Sequence, residues 1–282
     1  MNKLTTKSNK PLHPIGIGTW NIGSHINQDN LGSKYRGVEP VHGNEDQEIE
    51  AIRYSISKGQ NHIDCAELYG GFYTDEIVGQ AIAGLPREDL YVADKLWKTS
   101  VGTGKVRATV EAMLKKLGTD YIDLLYIHSP FADAPWTEAI PQIDELIDQG
   151  IVRHFGVSNF TVEQMQQVMD TATHPLVANQ MNYNILYKDE VGQTFHDFCK
   201  QHDIQIVAYQ PVKRQEVLAD ETVQAIAKAH GATPAQVALA WLLQMGTLPI
   251  PKATNKAHID ENLKAVDLKL TDEEMAKLTN LT

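Results

Sequence analysis

The chain has 282 residues, 42% of them hydrophobic and 22% charged, with a formal net charge of -11. That length suits one α/β barrel, and that composition describes a water-soluble globular chain with ample core. The acidic balance argues against nucleic acid or an anionic membrane as a partner, because phosphate binding needs concentrated Lys and Arg.

The first ten residues lack the apolar stretch of a secretion signal and read as a frayed or hairpin-like segment. Ile15 to Trp20 reads as a first strand, although its glycines weaken the pattern. Residues 21–44 form a Gly-rich polar connection, too long for a plain strand-to-helix loop. Leaving from the strand's C-terminal end, it is placed to cover a site, or else is a solvated loop. Ile49, Ile52 and Ile56 recur at helical spacing before Gly59. Short apolar runs follow at His62–Asp64, Leu90–Lys95 and Ile122–His128. Between the last two, Val106, Val110, Met113, Leu114 and Leu117 line one helix face, with Gly118 as the stop signal.

Further strands are predicted at His154–Ser158, Val177–Gln180, Ile204–Tyr209 and Leu248–Pro251. Capping boxes at Thr161-x-x-Gln164 and Thr233-Pro-x-Gln236 open helices between them, and Thr271-x-x-Glu274 opens a last one. The longest apolar run, Val237 to Leu243, is too short to cross a bilayer. No break in composition marks a linker. The expectation is an α/β protein, one (β/α)8 TIM barrel over residues 1–282, cytoplasmic and monomeric. Cys65 and Cys199 form neither a disulfide framework nor a zinc spacing, so reduced thiols and no metal are expected.

Three predicted strands end on a residue that can handle protons: Asp64, Lys95 and His128, spaced 31 and 33 residues apart. Each interval holds one strand and one helix, and barrels assemble sites from successive strand C-termini. With Tyr69 the set suits reduction of a carbonyl. Charge develops on the carbonyl oxygen as hydride arrives, and Tyr69 is the candidate proton donor. A phenol holds its proton too tightly for that task, and a Lys95 ammonium alongside would make it more acidic. Asp64 would keep Lys95 charged, and His128 would align the substrate. Each residue has a plainer reading as well: Asp64 a helix cap, Tyr69 a packed turn residue, Lys95 a solvated charge, His128 a structural histidine. No Gly-x-Gly-x-x-Gly or Gly-x-x-x-x-Gly-Lys motif occurs, which argues against a Rossmann or P-loop site.

From Gly16-Ile-Gly-Thr-Trp20 to Thr271-Asp-Glu-Glu274 the chain resembles the aldo-keto reductases. The resemblance is carried by His62-Ile-Asp-Cys-Ala-Glu-Leu-Tyr-Gly70, Tyr121-Ile-Asp-Leu-Leu-Tyr-Ile-His128, Gly156-Val-Ser-Asn-Phe160 and Ile250-Pro-Lys-Ala-Thr-Asn255, followed by Glu261-Asn262. It implies NAD(P)H-dependent reduction of an aldehyde or ketone, with Asp64, Tyr69, Lys95 and His128 as the catalytic tetrad. It further implies that Ser158, Asn159 and Gln180 bind the nicotinamide amide and that Tyr209 stacks on its ring. Thr19 and Trp20 would border the site, and Gln210 and Pro211 would follow the pyrophosphate. Lys252, Thr254, His258, Glu261 and Asn262 would meet the adenosine end. Trp20, Trp97, His128 and Ser129 would line the substrate pocket. Read without the resemblance, Ser158 and Asn159 look like a helix cap.

The chain departs from the family pattern in four places. Asp94 stands before the lysine where Thr or Ser is common, and strand alternation is expected to point it away from Lys95 with little effect. Ser129 replaces a common tryptophan, and the sequence ends at Thr282 without a further C-terminal loop, both of which imply an open pocket. His258 replaces an arginine that clamps the 2′-phosphate, so NADPH is expected with NADH also usable. Two other functions compete with carbonyl reduction: a Schiff-base aldolase using Lys95, and a nucleotide-binding regulatory subunit without turnover.

Overall fold

The computed structural model describes residues 4–23, 44–212 and 216–281. Eight parallel strands lie in chain order: β1 Ile17–Gly18, β2 His62–Asp64, β3 Tyr91–Leu96, β4 Ile122–Ile127, β5 Val152–Ser158, β6 Leu176–Asn182, β7 Gln205–Tyr209 and β8 Leu248–Pro249. The ends meet where Gly16 N–H donates to Pro249 O at 2.9 Å and Gly18 N–H to Pro251 O at 3.1 Å, which closes the barrel. The fold is the (β/α)8 barrel that the strand–helix alternation predicted.

The predicted first strand shrinks to two residues, because its glycines serve close approach. A Cβ on Gly18 would lie 2.5 Å from the Ile250 carbonyl oxygen, nearer than any side chain tolerates. Gly18→Ala therefore has to push β1 from the segment after β8. The expected cost is about 1–3 kcal/mol, read as a lower urea midpoint at unchanged slope.

Helices α1 Glu45–Ser57, α2 Thr74–Ile82, α3 Val106–Leu117, α4 Ala139–Asp148, α5 Val162–Thr171 and α6 Gln193–Gln201 follow the first six strands in turn. The region after β7 holds α7 Glu216–Ala219, α8 Glu221–Ala229 and α9 Pro234–Gln244, and β8 is followed by α10 Lys256–Leu263 and α11 Asp272–Thr279. Both predicted capping boxes form, at Thr161 and Thr233, and the helix start predicted at Thr271 is a third. Gly118 ends α3 with φ of 64°.

The N-terminal segment is a hairpin, tied by the Thr5–Pro11 bridge. Its Leu4 and Leu12 pack with Tyr91, Leu124 and Tyr126 inside the barrel. The hairpin thus stops the end of the barrel opposite the strand C-termini and leaves those as the open rim. Most of the predicted loop over residues 21–44 lies outside the described residues.

Candidate active site

Asp64 is the last residue of β2, Lys95 the second last of β3, and His128 the residue just past β4. Tyr69 opens a short 3-10 turn over Tyr69–Gly71 that begins five residues beyond β2. Only glycine fits at the next position. Gly70 has φ of 57°, and a Cβ there would lie 2.4 Å from Ile22 O.

Lys95 is wholly buried, and its ammonium donates to both Asp64 oxygens at 2.8 Å and to Cys65 O at 2.6 Å. The Tyr69 hydroxyl lies 3.1 Å from the same nitrogen. Asp64 is fixed in turn by Gln180, whose Nε2 donates to Oδ1 at 2.7 Å, while Thr19 Oγ1 donates to the Asp64 carbonyl at 2.7 Å. Asp64 therefore spends its carboxylate on Lys95 and Gln180 rather than on a helix cap, and Lys95 is not a solvated charge.

Burial works against the Lys95 charge, yet Asp64 and Tyr69 more than reverse it and hold the ammonium above its usual range. For Tyr69, burial pushes the phenol up and Lys95 pulls it only part of the way back, against Asp64. The expectation of a net acidified phenol is corrected here: desolvation outweighs the ammonium, and the hydroxyl stays protonated through neutral pH. A proton donor needs that state. Burial and the Lys95 charge both keep the His128 imidazole neutral, well below its ordinary pKa. Its Nδ1 is buried without a partner among the described residues.

Above these groups opens a cavity of about 500 Å³. Asp64, Tyr69 and His128 line it together with Thr19, Trp20, Ser158, Asn159, Gln180, Tyr209, Gln210, Pro211 and Lys252. Ser158 Oγ donates to Gln180 O at 2.9 Å, and Tyr209 Oη donates to Asn159 Oδ1 at 2.9 Å. The cap reading of Ser158 and Asn159 fails, since Thr161 caps α5. Asn159 and Gln210 hold φ of 62° and 51°, backbone states that non-glycine residues adopt at a cost.

Other predicted site residues lie outside that lining. Trp97 stacks edge-on to His128 at 5.2 Å and to Phe131 at 4.9 Å, and Ser129 follows His128 on the same rim. Thr254, His258, Glu261 and Asn262 continue past Lys252 into α10 and are not drawn into the cavity. His258 is 68% exposed, with its ring 3.5 Å from Glu261 Oε2. Sequence reasoning missed Gly18, Val212, Ile250 and Pro251 in the lining, and Phe131 beside Trp97. The glycine at the closure of the barrel was the available signal for the first of these.

Asp94 is also absent from the lining, as alternation along β3 requires. It is not inert, however: its Oδ1 accepts the Lys95 amide N–H at 2.7 Å. Among the described residues no group of three or more His, Cys, Asp or Glu is placed to hold a metal ion. No helix among them is long and apolar enough to cross a membrane.

The profile of the Aldo/keto reductase family matches residues 14–282. The 9,11-endoperoxide prostaglandin H2 reductase of Trypanosoma cruzi is 36% identical, over 99% of this chain and 91% of that protein. A methylglyoxal reductase of Escherichia coli is 30% identical over 95% of this chain and 90% of its own length. Among solved structures, a thermostable aldo-keto reductase in complex with epalrestat superposes with a TM-score of 0.86 at 35% identity, covering 99% of this chain and 98% of that one. An aldo/keto reductase from Klebsiella pneumoniae in complex with NADP and acetate gives 0.83 at 31% identity, with 99% and 94% covered. With the tetrad assembled at the barrel rim, these matches establish that the chain belongs to the aldo/keto reductase family.

Proposed function

We propose that the chain reduces an aldehyde or ketone to its alcohol with NADPH, with Tyr69 as the proton donor. The observation that carries this reading is the contact at 3.1 Å between the Tyr69 hydroxyl and a Lys95 ammonium that Asp64 grips with both oxygens. The cofactor supplies hydride when bound. The cavity's donor set fits it: amide-recognising groups at Ser158, Asn159 and Gln180, an aromatic face at Tyr209, and Lys252, which forms no ion pair with a carboxylate among the described residues. Thr254, Glu261 and Asn262 would extend that contact toward an adenosine.

A substrate carbonyl oxygen sits between Tyr69 and His128, whose rings are 5.9 Å apart. The neutral His128 donates one N–H and fixes the oxygen's direction. Tyr69 gives up its proton as negative charge develops there, and the adjacent ammonium stabilises the phenolate left behind. Trp20, edge-on to Tyr69 at 4.9 Å, keeps water from the phenol's other face. Trp97, Phe131 and Ser129 shape the substrate side. NADPH consumption in the presence of a panel of aldehydes and ketones tests the whole reading. Turnover of none of them at any pH would refute it.

The two competing functions lose support. A Schiff-base lysine must be neutral, and Lys95 is held as an ammonium by Asp64. A regulatory subunit without turnover has no need of an intact tetrad. The aldo/keto reductase relatives carry reductase names.

Choice between the two nicotinamide cofactors turns on the far end of the site. His258 is largely exposed, and its ring lacks the bidentate guanidinium fork that grips a phosphate. His258→Arg is expected to lower the KM for NADPH roughly 3- to 10-fold and leave that for NADH within twofold. Equal changes for both cofactors would remove His258 from the 2′-phosphate subsite. A monomer fits the surface, where Tyr187, 46% exposed, is the only large hydrophobic side chain open to solvent to that degree among the described residues. Light scattering reads the oligomeric state.

A further inference from the structure

Where β6 and β7 leave the barrel, a side chain takes over from the strand ladder. Asn182 pairs with Tyr209, and Tyr183 N–H adds a rung to Tyr209 O at 3.4 Å. The next residue, Asn184, is fully buried, and its backbone N–H donates to Tyr187 O at 3.0 Å. Its side chain reaches across to β7 instead: Nδ2 donates to Gln210 O at 3.1 Å. Oδ1 accepts the backbone N–H groups of Leu186 and Tyr187, each at 3.0 Å. Two donors converging on one end of the amide mark that end as oxygen, so the group facing Gln210 is the NH2. Lys188 steadies this turn from below, donating to Ile185 O at 2.6 Å and to Leu281 O.

Gln210 is the residue that needs holding. Its φ of 51° lies in the left-handed region, which most residues with a Cβ enter at a cost and glycine enters freely. Gln210 also lines the cavity, with Tyr209 before it and Pro211 and Val212 after it. Tyr209 is bonded in turn to Asn159, whose amide donates to His128 O at 3.2 Å. The direction in which the chain turns at Gln210 therefore sets the course of the wall beside the Tyr209 ring.

We propose that Asn184 is a positioning residue for the cofactor site: its amide holds Gln210 in the left-handed turn and so pre-forms the wall against which NADPH binds. The half that concerns NADPH rests on the function proposed above. Asn184 is not part of the cavity lining, so it acts through Gln210. Without the tie, the free protein spreads over conformations in which the chain leaves β7 differently, and NADPH binds only the competent fraction. Affinity falls by that fraction, while the chemistry of the bound complex is untouched.

The test uses two substitutions that divide the amide's work. Asn184→Asp keeps the Oδ1 acceptor and the shape and deletes the donor to Gln210; Asn184→Ala deletes both. Amide hydrogen exchange of the cofactor-free protein reads the turn directly. The segment over residues 208–212 is expected to exchange at least about 5-fold faster in both variants, with β3 and β4 unchanged. Unchanged exchange there, or a rise spread evenly over the barrel, would overturn the hold on Gln210, whatever the protein catalyses.

NADPH affinity is read by a fluorescence titration that requires no turnover. It should fall roughly 5- to 20-fold in both variants, with KM for NADPH rising in step and kcat falling by no more than about twofold. Glycine takes the left-handed φ unaided, so adding Asn184→Ala to Gln210→Gly should weaken NADPH binding by no more than about twofold. Wild-type affinity in both Asn184 variants, or the same loss with glycine at 210 as with glutamine, would overturn the positioning role. A wild-type protein that does not bind NADPH would refute the proposed function and this half with it, while the exchange result still decides the hold on Gln210.

Discussion

Tyr69→Phe is expected to lower kcat for carbonyl reduction by about 10²- to 10⁴-fold, the range associated with a positioned proton donor. The substitution deletes one hydroxyl and keeps the ring. Packing against Trp20 at 4.9 Å and His128 at 5.9 Å survives, and Lys95 retains Asp64 and Cys65 O as acceptors. Stability should therefore change by no more than about 1 kcal/mol, the worth of one hydrogen bond. NADPH binding, read by a thermal-shift titration, should persist, so the loss belongs to chemistry. Because burial keeps the Tyr69 phenol protonated well beyond neutrality, wild-type reduction should show no limb from Tyr69 between pH 6 and 8. Oxidation of the alcohol requires the phenolate and should climb as pH rises. A Tyr69→Phe variant within threefold of wild-type kcat would transfer the donor role elsewhere, with His128 the next candidate.

Local signals proved the readable part of this chain. The capping boxes at Thr161, Thr233 and Thr271 involve residues three apart, so side-chain chemistry alone places those helix starts. Strands β3 and β4 were visible because burial on both faces leaves short runs that are mostly apolar. β1 was harder: its glycines answer to Ile250, more than two hundred residues away, and propensity carries no record of that contact. The tetrad was legible from strand-end spacing, whereas the Gln180–Asp64 bond, spanning 116 residues, was not foreseen: the resemblance implied Gln180 only as a nicotinamide ligand. Acidity of Tyr69 was misjudged for a related reason. A neighbouring charge can be guessed from sequence, but desolvation depends on the whole fold, and here it is the larger effect. Asp94 follows the same logic, since alternation gives its direction and says nothing of the Lys95 amide N–H that its carboxylate accepts.

Lys95→Met should cost about 3–5 kcal/mol of folding stability, more than any other substitution considered, because it strands a buried carboxylate. Methionine fills most of the lysine's volume, so the loss is electrostatic and not a cavity effect. Asp64 would keep only the Gln180 amide, at 2.7 Å, as a side-chain donor. The variant's deficit should shrink on acidification, since protonating Asp64 removes the stranded charge. In the wild type the sign is reversed and the window alkaline. A Lys95 pKa raised in the folded state adds stability that is full below the unfolded value of about 10.4 and fades as pH rises above it. The double variant Asp64→Asn/Lys95→Met should recover at least half of the lost stability while remaining as inactive as the single variant. Urea unfolding at pH 5 and pH 7.5 measures all three proteins. A single-variant loss below about 1 kcal/mol would mean that the Asp64–Lys95 contact is not an ion pair of the kind its 2.8 Å separation and burial imply. The mechanism would then lose the ammonium that is to stabilise the Tyr69 phenolate.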